Sequence, residues 1–163
     1  MKKKIVIFGG SLFEGMRFVN GTYQVFATKS LSELMQCCDI DNYSNQEMTS
    51  KLAYELIEKL KVKDNYDDCI LALGERELDH LDEFVQNMEK IIAYLQKHHI
   101  RILLVSLPKE QMTSPNAYCL QQQLDQLAWT YNIDYLYDGV TDQCVSYQFS
   151  NDSELKHAIL ELC

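Results

Sequence analysis

Apolar residues along the chain fall into two kinds of pattern that alternate from one end to the other. Ile5-Val6-Ile7-Phe8 is an unbroken apolar run stopped by Gly9-Gly10, Cys69-Ile70-Leu71-Ala72-Leu73 is another stopped by Gly74, and Arg101 to Leu107 is a third stopped by Pro108. Short runs rich in β-branched and aliphatic residues, ended by Gly or Pro, predict strands buried on both faces. Ile133 to Tyr137, ending at Asp138-Gly139, and the briefer Asp39 to Tyr43 complete a set of five strands. Between them the period changes to that of a helix. Leu52, Ala53, Leu56, Ile57 and Leu60 share one face of a segment beginning near Ser44; Phe84, Met88, Ile91, Ile92 and Leu95 mark a long helix from Leu81 to about His98. Ser114-Pro115 starts a helix carrying Leu120, Leu124, Leu127 and Ala128 to about Tyr131, with proline at its first position.

Three further elements come from local signals. Ser30 with Glu33 forms a capping box for a short helix through about Cys38. Asn151-Asp152-Ser153 caps a terminal helix whose Leu155, Ala158, Ile159 and Leu162 share a face. Asn20-Gly21, between Arg17-Phe18-Val19 and Thr22 to Phe26, predicts a two-residue hairpin turn. Strands alternating with helices over short connections give an α/β fold: a three-layer, doubly wound, parallel five-stranded sheet in the flavodoxin-like order 2-1-3-4-5. The expected organisation is one domain over residues 1–163.

Charge narrows the partners. With 24 acidic and 15 basic residues the net charge is −9, a field that repels phosphate backbones and argues against nucleic acid as a partner. Lys2-Lys3-Lys4 is followed by only a short apolar run ending in glycines, which fits neither a signal peptide nor a membrane span, so the sequence predicts a cytoplasmic protein. The six cysteines, at 37, 38, 69, 119, 144 and 163, show no CxxC pair and no Cys/His spacing of the zinc kind. They are expected to be reduced and buried or incidental, with no metal site.

The chemistry centres on Ser11. In an open α/β sheet ligands bind beyond the carboxyl ends of the strands, which is where Gly9-Gly10 delivers it. It is read as a nucleophile, a phosphate-loop residue or a plain turn serine. A Walker loop requires GxxxxGK[ST], and the chain has Met16 after Gly15; a dinucleotide loop requires GxGxxG followed by a helix, and neither is present.

The order of pieces resembles the SGNH hydrolases, the GDSL-type esterases and lipases, over essentially the whole chain. The family's Gly-Asp-Ser-Leu block after the first strand stands here as Gly9-Gly10-Ser11-Leu12, and its GxND block as Gly74-Glu75-Arg76-Glu77. Val105-Ser106-Leu107-Pro108 and Tyr135-Leu136-Tyr137-Asp138 also match its strand ends. The resemblance implies Ser11 as nucleophile and an oxyanion held by backbone N–H groups and by the asparagine position. The family's second-block glycine falls near Asn42 to Asn45, where Asn45 takes its place, and the asparagine position is Arg76. Gly10 and Gly74 complete the expected oxyanion or ligand-binding set.

The resemblance also implies a base and an orienting acid from a DxxH pair near the C-terminus, and no DxxH occurs. Among the histidines, His98 and His99 close a helix at the far end from the strand tips, and His80 follows the third strand. His157 lies in the expected region, with Asp152 and Glu154 ahead of it. Two functions follow. One is an esterase without cofactor, in which Ser11 attacks a small-molecule ester or acylated substrate and His157 relays the proton with Asp152 or Glu154. The other is an inactive relative that binds an acyl, sugar or anionic ligand, or a protein partner, at the same edge.

Overall fold

The computed structural model describes residues 2–10, 16–19, 22–25, 38–108, 111–137 and 147–148. The helices expected at 30–38 and 151–162 lie outside the described residues. Strand β1 (Lys4–Gly9) is followed by a hairpin of β2 (Met16–Val19) and β3 (Thr22–Val25), then β4 (Asp39–Asn42), α1 (Ser50–Lys59) and the single turn α2 (Val62–Asn65). The chain continues through β5 (Asp68–Ala72), α3 (Leu81–Lys97), β6 (Arg101–Val105), α4 (Pro115–Tyr131), β7 (Asp134–Tyr137) and β8 (Tyr147–Gln148).

The main sheet runs β4-β1-β5-β6-β7-β8, and among the described residues its strand pairings are all parallel. With the hairpin set aside, its first five strands have the expected order 2-1-3-4-5. The short β8 extends the sheet beyond the sequence reading, pairing Leu136 with Tyr147 and Tyr137 with Gln148; two residues are too few to leave a periodic signal, yet they cover the outer edge of β7. The hairpin is as expected: β2 and β3 pair antiparallel, with Val19 opposite Thr22.

Register explains which side chains meet which helices. Val6, Cys69 and Ile102 are partners across β1, β5 and β6, as are Phe8, Leu71 and Leu104. This row joins Ala53 and Ile57 of α1, Phe84, Met88 and Ile91 of α3, and Leu120 and Leu124 of α4 in one buried cluster. The alternate residues Ile5, Ile7, Ile70, Leu103 and Val105 are also fully buried, as the unbroken apolar runs require of a sheet covered on both faces.

Helix α1 starts later than its periodicity suggested. Ser44 N–H donates to Asn42 Oδ1 at 3.0 Å and Glu47 N–H to Asn45 Oδ1 at 2.9 Å, two side-chain turns that occupy residues 42–48 before Thr49 caps the helix through Leu52 N–H at 3.2 Å. The cap of α4 is as read, with Ser114 Oγ accepting from Ala117 N–H at 3.2 Å and proline following it. One cysteine differs from expectation. Cys69 is buried and free, and Cys119 is exposed and free, but Cys38 is disulfide-bonded and neither of those two is its partner. Spacing along a chain does not reveal which thiols fold within bonding range. Among the described residues no helix is long and apolar enough to cross a membrane.

Candidate active site at the carboxyl edge of the sheet

Three strand ends converge where Gly10 leaves β1. Gly10 N–H donates to Ala72 O of β5 at 3.2 Å, and Asn45 N–H, beyond β4, donates to Gly9 O at 3.1 Å. The end of β1 is thereby stitched to both neighbours, and Phe8 stacks on Tyr43 with ring centroids 5.8 Å apart. Asn45 is half-buried here. In this geometry its backbone N–H is committed to Gly9.

The third edge segment turns sharply. Gly74 has φ +119°, and Glu77 N–H closes the turn on Gly74 O at 3.0 Å. That conformation is nearly exclusive to glycine, and a β-carbon there would also come within 2.7 Å of Leu120 Cδ2. The turn sends successive side chains in different directions. Arg76 reaches Glu47, its Nη2 lying 2.9 and 2.8 Å from the two carboxylate oxygens. Glu77 turns inward to Ser50 at the start of α1, and Glu75 lies against Gly10, where Gln111 Nε2 donates to its Oε2 at 2.8 Å.

Burial sets the electrostatics of this turn. Glu77 is buried, and loss of solvent pushes its carboxyl above the ordinary value, while hydrogen bonds from Ser50 pull the other way. Arg76 and Glu47 are solvent-exposed, so their pair is screened and contributes little to stability.

The sequence reading placed Gly10, Asn45, Gly74 and Arg76 at one site. Gly10, Asn45 and Gly74 sit on the adjoining ends of β1, β4 and β5, and Arg76 follows directly in the turn. Ser11, Asp152, Glu154 and His157 lie outside the described residues. His80 is exposed ahead of α3, and His98 caps the opposite end of that helix, its ring edge-on to Tyr94 at 4.8 Å. Glu47, Ser50 and Gln111 were not singled out from sequence, and Glu75 and Glu77 only as letters of a block. Nothing in their spacing marks them as partners.

A parallel sheet of this order, with helices on both faces, is the fold of the SGNH-type esterases and acylhydrolases. Solved structures agree over nearly the whole chain. The lipase/acylhydrolase from Enterococcus faecalis superposes with a TM-score of 0.68 at 14% identity, covering 99% of this chain and 95% of that one. AlinE4, an SGNH-hydrolase family esterase, is 22% identical with a TM-score of 0.62 over 99% of this chain and 95% of its own. Axe2, an acetylxylan esterase from Geobacillus stearothermophilus, gives 0.68 at 12% identity over 98% and 93%. No protein-family model and no curated protein matches the sequence.

Proposed function

We propose that the chain is a serine ester hydrolase of the SGNH type acting on a small acyl ester. The observation that carries this reading is the end of β1: Gly9 and Gly10 are tied to the strand ends on both sides, in a fold shared with esterases, immediately before a serine. In the proposed reaction Ser11 Oγ attacks the ester carbonyl as its proton passes to His157, which Asp152 or Glu154 orients. The tetrahedral oxyanion is met by the Ser11 N–H, by Arg76 and by the Asn45 N–H, which must first leave Gly9 O. Its collapse expels the alcohol, which takes the proton from His157, and water then hydrolyses the acyl-serine by the same route. No cofactor enters these steps. The compartment belongs to the same proposal: the sequence favours the cytoplasm.

Hydrolysis of p-nitrophenyl acetate by the wild type, Ser11→Ala and His157→Ala tests the mechanism. Both variants are expected to lose turnover by about 10³-fold or more. Turnover indifferent to Ser11 overturns the reading.

A second reading, a binding protein without turnover, is favoured by one observation: the Asn45 N–H is engaged by Gly9 O and Arg76 Nη2 by Glu47. Under that reading the wild type leaves p-nitrophenyl acetate intact, and a short-chain fatty acid raises its melting temperature.

A further inference from the structure

Gly10 lacks a side chain for a reason its backbone does not supply. Gly74 is the glycine with positive φ among the described residues, so Gly10 has a conformation open to any residue. What occupies the side-chain space there is Glu75, which a side chain at position 10 would have to displace. A β-carbon built on Gly10 would collide with Oε1 and Cδ of the Glu75 carboxylate and come within 3.0 Å of its Cγ. The carboxylate is held from a third strand end, since Gln111, beyond β6, donates to Oε2 at 2.8 Å. The Gly10 backbone is itself fixed by its bond to Ala72 O, two residues before Gly74. One acidic group therefore fills the side-chain space of position 10, and it enters from position 75.

We infer that Glu75 is a positioning residue that supplies to the end of β1 the carboxylate which the Gly-Asp-Ser-Leu block carries at position 10, making Gly10 and Glu75 a complementary pair. The acid missing from the first block is thus replaced from the GxND block rather than lost. This inference deepens the ester-hydrolase reading and rests on it only for activity; the occupancy of the space beside Gly10 stands on geometry.

The test is a four-protein cycle of wild type, Gly10→Asp, Glu75→Ala and Gly10→Asp/Glu75→Ala, read by thermal denaturation and by kcat/KM on p-nitrophenyl acetate. Gly10→Asp forces two carboxylates into one space, and Glu75→Ala empties it and removes the bond from Gln111 Nε2. Each single change is expected to lower Tm by about 3 °C or more. The double variant, with one carboxylate again, is expected to return to within about 2 °C of wild type, because residues in contact couple rather than add. A double variant that folds where a single one does not is the same coupling in a stronger form. Tm losses that simply add overturn the pairing.

On the activity arm, kcat/KM is expected to fall about tenfold in Glu75→Ala and to recover in the double variant. Recovery of Tm without recovery of kcat/KM overturns the positioning role and leaves a packing contact. A wild type with no turnover overturns the ester-hydrolase reading instead, and the Tm cycle then decides whether Glu75 takes the side-chain place of position 10.

Discussion

The Glu77 carboxylate spans Ser50: Oε1 accepts the Ser50 hydroxyl at 2.5 Å and Oε2 accepts the Ser50 N–H at 2.9 Å. Ser50 is the first residue of α1, and Asn87 of α3 donates to its hydroxyl oxygen at 3.1 Å. A side chain from the turn after β5 therefore satisfies an otherwise orphaned donor at the helix start and joins two helices to the candidate site.

Removing that carboxylate leaves the buried Ser50 N–H without its acceptor and the Ser50 hydroxyl with only the bond from Asn87. Glu77→Ala is expected to cost about 1–3 kcal/mol, read as a Tm lower by roughly 2–4 °C for each kcal/mol. Ser50→Ala, which keeps the N–H bond to Oε2, is expected to cost less. Thermal denaturation of the two variants checks the order, and an equal loss in both would mean that the backbone bond contributes nothing.

Gly74 meets a different constraint. An L-residue at φ +119° is strained, and its β-carbon would meet Leu120 Cδ2 at 2.7 Å and Phe84 Cζ at 3.4 Å, both on buried side chains with little room to retreat. Gly74→Ala is expected to destabilise by about 2–4 kcal/mol, combining about 1–3 for the backbone with overpacking of similar size partly relieved by Leu120. Urea unfolding with an unchanged m-value would read this as lost stability. A midpoint equal to wild type would remove the constraint.

Asp68 carries a pH dependence. It is buried at the start of β5, and desolvation raises its carboxyl above the ordinary value against the opposing pull of Lys3, at 3.7 Å, and of Arg101. A raised folded-state value means that the protonated form favours the fold. That contribution is complete below the unfolded value of about 3.9 and is lost as pH rises through the folded value. Asp68→Asn cannot ionise, so the variant is expected to gain stability over wild type as pH climbs from 3.5 to neutrality. Tm measured for both proteins across that range checks it, and a variant less stable at pH 7 than at pH 3.5, relative to wild type, would show that the Lys3 and Arg101 attractions outweigh burial.

What could be read from the sequence and what could not divide along the distance over which a signal acts. Strands β1, β5 and β6 announce themselves because burial on both faces requires continuous apolar runs, and α3 and α4 because one buried face imposes a helical period. The hairpin is fixed by two residues, and Val19 duly pairs with Thr22. The start of α1 was set too early because periodicity does not register the side-chain turns of Asn42 and Asn45. At the site, Gly10, Gly74 and Arg76 could be placed because they adjoin strand ends. Their partners could not: Glu75 and Gln111 are 36 positions apart, and Ser50 and Glu77 are 27 apart. Gly10 shows the cost of this. Read alone it is a lost acid, and only the folded chain shows Glu75 in its space.

Arg76 offers the sharpest division between the two functional readings. Its guanidinium is half-exposed and its Nη2 is paired with the still more exposed Glu47, a pair worth at most about 1 kcal/mol. Arg76→Ala and Arg76→Asn are therefore both expected to keep Tm within a few degrees of wild type. In the proposed hydrolase the position serves the oxyanion. There, deletion of a single donor lowers kcat by about 10²–10³-fold, so Arg76→Ala is expected to fall by about that factor on p-nitrophenyl acetate. Arg76→Asn places at that position the residue of the GxND block, whose neutral amide donates without the charge that draws Arg76 to Glu47. Its kcat is expected to equal or exceed that of the wild type. If Arg76→Ala turns over as fast as wild type while Ser11→Ala does not, the oxyanion is held without Arg76, whose pairing with Glu47 then ties down the turn after β5.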